Sequence, residues 1–262
     1  MSVLTSLDST QTWQDRAMDG WFDTHAHPDR YPAAVRGALL RRAREAGVAV
    51  IGVGVDFASS RAMAGIAGLA GCVVGVHPLY ADDWDAGGLR GLLAAPGVVA
   101  IGECGFDDGG PEWELQVAAF RGQFALARDC GLPLVLHIDG PRAWEMLGAH
   151  GEDLAGLAVV RHYFTGDRGQ AEWHGERGHF LSFGKPLVRD AVLQEVCRDY
   201  PPELILVETD SYPLPGRMTE PRDVVAVGRA VAGLRGWTAE ETRAQLARNT
   251  RSAFPRLVAP AY

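Results

Sequence analysis

The sequence predicts an α/β chain folded as a TIM-type (β/α)8 barrel. Three observations point there: eight short apolar runs bounded by turn residues, helical periodicity between them, and ionisable residues gathered at the C-terminal ends of the runs. At 262 residues the chain has the length of one such barrel, and 47% hydrophobic with 22% charged residues supply an ordinary globular core. An open doubly wound sheet is the alternative closure of the same alternation. Residues 1–20 read as a polar extension and 21–262 as a single domain.

The first apolar run is Trp21 to His25, followed by Val48 to Val53, Cys72 to Val76 and Val98 to Gly102. The second half adds Leu134 to His137, Ala158 to His162, Phe180 to Phe183 and Leu204 to Glu208. Most are continuous, as strands buried on both faces of a parallel sheet should be. Between the fourth and fifth runs, Trp113, Val117, Phe120, Phe124 and Ala127 recur at helical spacing, and Gly131 is placed to end that helix. Near the C-terminus, Thr238 with Glu241 three residues on forms a capping box that starts another.

Composition narrows the function classes. The net charge of −8 repels nucleic acid overall, so a polyanion would have to be drawn in by local charge such as a bound metal pair. Cys72, Cys104, Cys130 and Cys197 stand singly with no CxxC pair, the pattern of reduced, packed thiols in a cytoplasmic protein. The first twenty residues carry no basic start before an apolar run, and no stretch approaches the ~18 apolar residues of a membrane span. Neither export nor a membrane location is expected.

The ends of the apolar runs carry the chemistry. Asp23-Thr24-His25-Ala26-His27 closes the first, and strand alternation sends His25 and His27 to one side, where two imidazoles can share a cation. Glu103 ends the fourth between Gly102 and Gly105, a carboxylate costly to bury unless paired or metal-bound. His137 ends the fifth, His162 the sixth, and Asp210 follows the eighth. Four histidines and two carboxylates on the rim where barrel enzymes keep their active sites are enough for two metals with positions open for water and substrate. His77, closing the third run, is a further ligand, a substrate contact or a structural histidine, with substrate contact preferred. Asp23 and Glu208 are read as groups that orient a ligating imidazole or tune bound water, Cys104 as packing, and His150, His174 and His179 as surface or structural. The imidazole-rich set suits Zn²⁺, Mn²⁺, Ni²⁺ or Fe²⁺ better than Ca²⁺ or Mg²⁺.

At these residues the sequence resembles the TatD family of metal-dependent hydrolases, many of them deoxyribonucleases, within the wider amidohydrolase-like barrels. The carriers are Asp23 to His27, Gly75-Val76-His77-Pro78, Gly102 to Asp107, Leu132 to His137, Glu208-Thr209-Asp210, and Asn249 with Phe254. The resemblance implies that His25, His27, Glu103, His137, His162 and Asp210 bind a metal pair with Glu103 bridging. It also implies a hydrolase acting on phosphodiesters of DNA or another nucleic-acid end. The expected nucleophile is a metal-bound hydroxide, with Asp210 moving its proton. Lys185 and His77, and less strongly Arg161 or Arg189, are candidates to meet phosphate oxygens. The chain departs from the family at Asp139, where an Arg is usual, at Tyr163 after the sixth-run histidine, and in the order Ser211-Tyr212-Pro213. Hydrolysis of carboxyl esters or amides, including aminoacyl-tRNA, is the alternative activity. A metal-binding interaction module that has lost catalysis is the alternative of another class.

Overall fold

Strands β1 (Trp21–Ala26), β2 (Val48–Val53), β3 (Gly71–Val74), β4 (Val98–Asp107), β5 (Leu134–Asp139), β6 (Val159–Arg161), β7 (Phe180–Phe183) and β8 (Ile205–Val207) form one parallel sheet in sequence order. The computed structural model describes residues 20–214, 216 and 219–257. The polar extension expected at residues 1–20 lies outside these except for residue 20. Helices run between the strands, so the sheet curls round until β8 meets β1, the barrel rather than the open sheet. Among the described residues β1 and β8 share no ladder, and the seam is made by single bonds. Thr24 Oγ1 donates to the Val207 carbonyl (3.0 Å), the Asp210 amide to the His25 carbonyl (2.9 Å) and the His27 amide to the Ser211 carbonyl (2.9 Å).

The helices form where the periodicity places them. Helix α1 (Ala33–Glu45) follows β1 and α2 (Phe57–Ala64) follows β2, the latter started by Asp56, whose carboxylate accepts from the Ser59 amide. Helix α3 is Ala86–Leu92, and α4 is Trp113–Cys130, burying Phe120, Phe124 and Ala127 and ending at Gly131, whose φ of 60° suits a residue without Cβ. Then come α5 (Pro141–His150), α6 (Arg168–Glu176), α7 (Ala191–Asp199), α8 (Val224–Arg235) and α9 (Ala239–Ala253). In α9 the capping box is complete: the Glu241 amide donates to Thr238 Oγ1 and the Thr238 amide to Glu241 Oε2. No helix among the described residues is long and apolar enough to cross a membrane.

Strand ends shift by one or two residues from the expectation at β1, β5, β6 and β8, and two further boundaries bear on the site. β3 stops at Val74 because α4 supplies the next partner: Gln123 Oε1 accepts from the Val76 amide and Gln123 Nε2 donates to the Val76 carbonyl, each at 2.8 Å. β4 does not stop at Gly102 but runs on to Asp107, paired with β5 as far as Asp107 beside Asp139. Gly105 permits this close pairing, since its φ of 138° and the nearby His137 carbonyl leave no room for a Cβ. Glu103, Gly105 and Asp107 thus alternate along one face of the same strand.

Candidate metal centre

The C-terminal ends of the strands bring His25, His27, Glu103, His137, His162 and Asp210 to one mouth, with His77 among them. Glu103 is central and buried. Its Oε1 meets His25 Nε2 (2.6 Å) and His27 Nε2 (3.4 Å), while Oε2 meets His137 Nδ1 (3.5 Å), His162 Nε2 (3.4 Å) and His77 Nε2 (3.4 Å). Asp210 completes the first group, its Oδ1 lying 3.1 Å from His27 Nε2 and 4.0 Å from His25 Nε2. Asp210 holds φ at 48°, an uncommon backbone for a residue with a Cβ, fixed here by the bond from its amide to His25.

The outer partners of the rings decide which nitrogen faces the mouth. A carbonyl or carboxylate only accepts, so His27 donates Nδ1–H to the Val53 carbonyl (2.8 Å), His137 Nε2–H to Asp107 Oδ2 (3.0 Å) and His162 Nδ1–H to Glu208 Oε1 (3.2 Å). His27 Nε2, His137 Nδ1 and His162 Nε2 then turn inward, the last two 3.0 Å apart. Such an approach needs a positive charge between the rings, a proton or a metal ion. A tetrahedral ion with bonds of about 2.0–2.2 Å sets its donors about 3.3–3.6 Å apart. Most inward separations lie near that span, so the residues present fit divalent cations, in one group of His25, His27 and Asp210 and another of Glu103, His137 and His162. His25 Nδ1 is buried without a hydrogen-bond partner.

His77 belongs to a different class. Its Nδ1 accepts from the Leu79 amide (3.1 Å), so the ring proton sits on Nε2, the atom facing Glu103. Burial pushes this ring down to about 4, which keeps it neutral near pH 7. With its proton on Nε2 the ring faces the mouth as a donor, and it also lies with Asp107 and His137 in a third group close enough to hold an ion.

The electrostatics follow the carboxylates. Burial alone would raise Glu103, but His25 and His162 beside it, with the bonds of His137 and His25, hold it well below the usual carboxylate range. Burial works against a charged His137, yet its bonds with Asp107 and Glu103 carry it up to about 9. Burial pushes Glu208 up to about 8.

Several sequence expectations change here. Asp23 orients no imidazole; it accepts from the Thr209 amide (2.8 Å) and Thr209 Oγ1 (2.6 Å), and so pins the segment that carries Asp210. Arg161 does not line the mouth: it is buried, and its guanidinium donates to the carbonyls of Ile138 (2.6 Å) and His162, because the residue before a strand-end ligand points to the other face. Lys185 and Arg189 are exposed and do not line the mouth, whereas Asp139 does. Of the histidines read as surface or structural, His174 and His179 are structural: both are buried and bonded to each other through their Nδ1 atoms at 3.0 Å. Cys104 packs in the core. Asp107 and Arg30 were missed. The alternation from Glu103 to Asp107 was a signal for the first; Arg30, on the turn after His27, had none. The mouth has a volume of about 290 Å³ and is lined also by Tyr80 and Tyr212.

Known proteins resemble this chain over most of its length. The family model described as TatD related DNase matches residues 22–255. The metal-dependent hydrolase YabD of Bacillus subtilis is 30% identical over 251 residues, covering 89% of this chain and 98% of that protein. The 3'-5' ssDNA/RNA exonuclease TatD of Erwinia tasmaniensis is 32% identical, covering 84% and 93%. The crystal structure of YJJV, a TatD homolog from Escherichia coli, superposes with a TM-score of 0.80 at 28% identity over 91% of this chain and 99% of that one.

Proposed function

Because this chain belongs to the TatD family of metal-dependent hydrolases, we propose that it hydrolyses phosphodiester bonds at a nucleic-acid end, as a deoxyribonuclease-like enzyme working with two divalent cations. The observation that carries this reading is the Glu103 carboxylate, whose two oxygens each face a separate set of imidazoles. His25, His27, Glu103 and Asp210 would hold one cation, and Glu103, His137 and His162 the other. When bound, such a pair supplies Lewis-acid polarisation of phosphate and water and neutralises charge on attacking and leaving oxygens.

The chain's own residues divide the remaining work. Asp210 is the carboxylate that reaches toward solvent, its side chain 21% exposed against 3% for Glu103. Burial would raise it, but His27 holds it below the usual range, so it is ionised and able to take a proton from the attacking water. His77 Nε2–H points into the mouth as a donor for a phosphate oxygen. Asp107 and Glu208 fix the rings of His137 and His162. The free cysteines suit the cytoplasmic setting expected from the sequence. A single-stranded end fits better than a duplex track, since Asp139 and the net charge disfavour a long polyanion.

The test compares metal-loaded wild type with Asp210→Asn on end-labelled single- and double-stranded DNA, RNA, aryl phosphodiesters, lactones and acyl amides. Turnover of phosphodiesters should fall about 10² to 10⁴-fold in the variant, with the fold and much of the metal kept. Asp210-dependent turnover of a lactone or amide, with none on any phosphodiester, would replace this reading by the ester and amide alternative. No turnover of any substrate with the metals in place would favour the interaction module.

A further inference from the structure

The mouth is unevenly charged. On the β5 side stand Asp107 and Asp139, and on the β1–β8 side the lining cation is Arg30. Among the described residues no ion pair or side-chain hydrogen bond engages its guanidinium; it lies over the Tyr212 ring, 5.6 Å from the centroid. The neighbouring acid attracts it through space but does not bond it: Asp29 Oδ1 is buried without a hydrogen-bond partner.

Its position is tied to the reacting groups. Arg30 sits on the short turn Pro28–Arg30, directly after His27, and its amide donates to the His27 carbonyl (3.2 Å). Tyr212 follows Asp210 by two residues, and the His27 amide donates to the Ser211 carbonyl between them (2.9 Å). Tyr31 Oη anchors the end of the turn on the Thr219 carbonyl (2.9 Å). The guanidinium and its aromatic platform are thus in fixed register with the donor group of His27 and Asp210. Arg is suited to such a place, because its planar fork meets phosphate oxygens in pairs while its face rests on a ring.

We propose that Arg30, held against Tyr212, is the anchor for a second phosphate of the substrate, the one next to the scissile diester, and so sets which way a nucleic-acid end enters. This rests on the phosphodiesterase reading above. The end enters with its adjoining phosphate on the β1–β8 side and its terminal, uncharged sugar toward Asp139, which accepts hydrogen bonds but repels phosphate. Lys185, outside the mouth, takes no part.

The experiment compares metal-loaded wild type, Arg30→Ala and Arg30→Lys on two substrates, a dinucleoside monophosphate with one phosphate and a trinucleoside diphosphate with two. Arg30→Ala should raise KM for the second about 10- to 100-fold while kcat is kept. It should leave the first within about twofold, and Arg30→Lys should fall between. In parallel, binding of a short fluorescein-labelled oligothymidylate is followed against salt, where loss of one phosphate contact should lower the slope of log K on log salt by about 0.7. Equal losses on both substrates, or no change in KM and slope, would overturn the anchor while leaving phosphodiester turnover standing. No diester turnover in wild type with the slope still reduced by Arg30→Ala would sink the catalytic reading and keep the anchor. No turnover and an unchanged slope would sink both.

Discussion

Two buried groups of histidines show what separates a reactive centre from a core. At the mouth, His25, His27, His137 and His162 surround Glu103, with Asp210, Asp107 and Glu208 behind or beside them. Between α6 and β7, His174 and His179 are as well buried, but their neighbours are the rings of Trp144, Trp173 and Phe164. Burial pushes both rings of the second group down, His179 to about 4, with Arg177 adding to the effect and His179 itself adding at His174. At the mouth, acidic partners reverse the same penalty for His27 and His137. Burial is common to both groups; the carboxylate makes one of them a place for cations.

Removing the shared carboxylate should break the comparison most completely. In Glu103→Gln a neutral amide replaces the anion between both donor sets, and metal content measured on the purified protein should fall below two per chain. Turnover should drop at least about 10²-fold. Full metal content in that variant would mean the two sets do not depend on Glu103.

A smaller change should follow at the residue the sequence reading passed over. Asp107→Asn keeps the shape but loses the anion that fixes the His137 ring, and metal affinity by calorimetry should weaken about 10- to 100-fold. An unchanged affinity would show that His137 needs no outer carboxylate.

The smallest effect belongs to the histidine pair without an acid. A ring whose folded pKa is lowered refuses protons that the unfolded chain accepts below about pH 6.5. Its contribution is therefore complete above that pH and is lost as pH falls toward the folded value, about 4 for His179. Thermal melts of wild type should lose Tm between these limits, and His174→Phe should flatten that slope while leaving pH 7 to 8 level. Equal slopes would assign the acid sensitivity elsewhere.

Much of this was legible in the sequence because strands impose a simple geometry. Apolar runs long enough for one strand, several of them ending at or just before a ligand-type residue, fix both the barrel and the side of it on which His25, Glu103, His137 and His162 emerge. Side chains reached by bending are another matter. Arg161 curls back to the carbonyl of Ile138, 23 residues away, and Asp23 bonds Thr209 across the seam, 186 residues away. Arg30 sits on a turn, where no period tells which way a side chain points. The helix boundaries at Gly131 and Thr238 were readable because caps are local.

The seam between β1 and β8 has a mechanical consequence. His27 and Asp210 lie 183 residues apart in the chain, yet they face each other across the thinnest join of the barrel. A cation gripped by both would act as a clasp on a very long loop, and its binding energy would count toward holding the cylinder shut. Chelation should then loosen the molecule at that join first. The amides of His27 and Asp210 should exchange hydrogen faster, while those of the continuous β4–β5 ladder keep their protection.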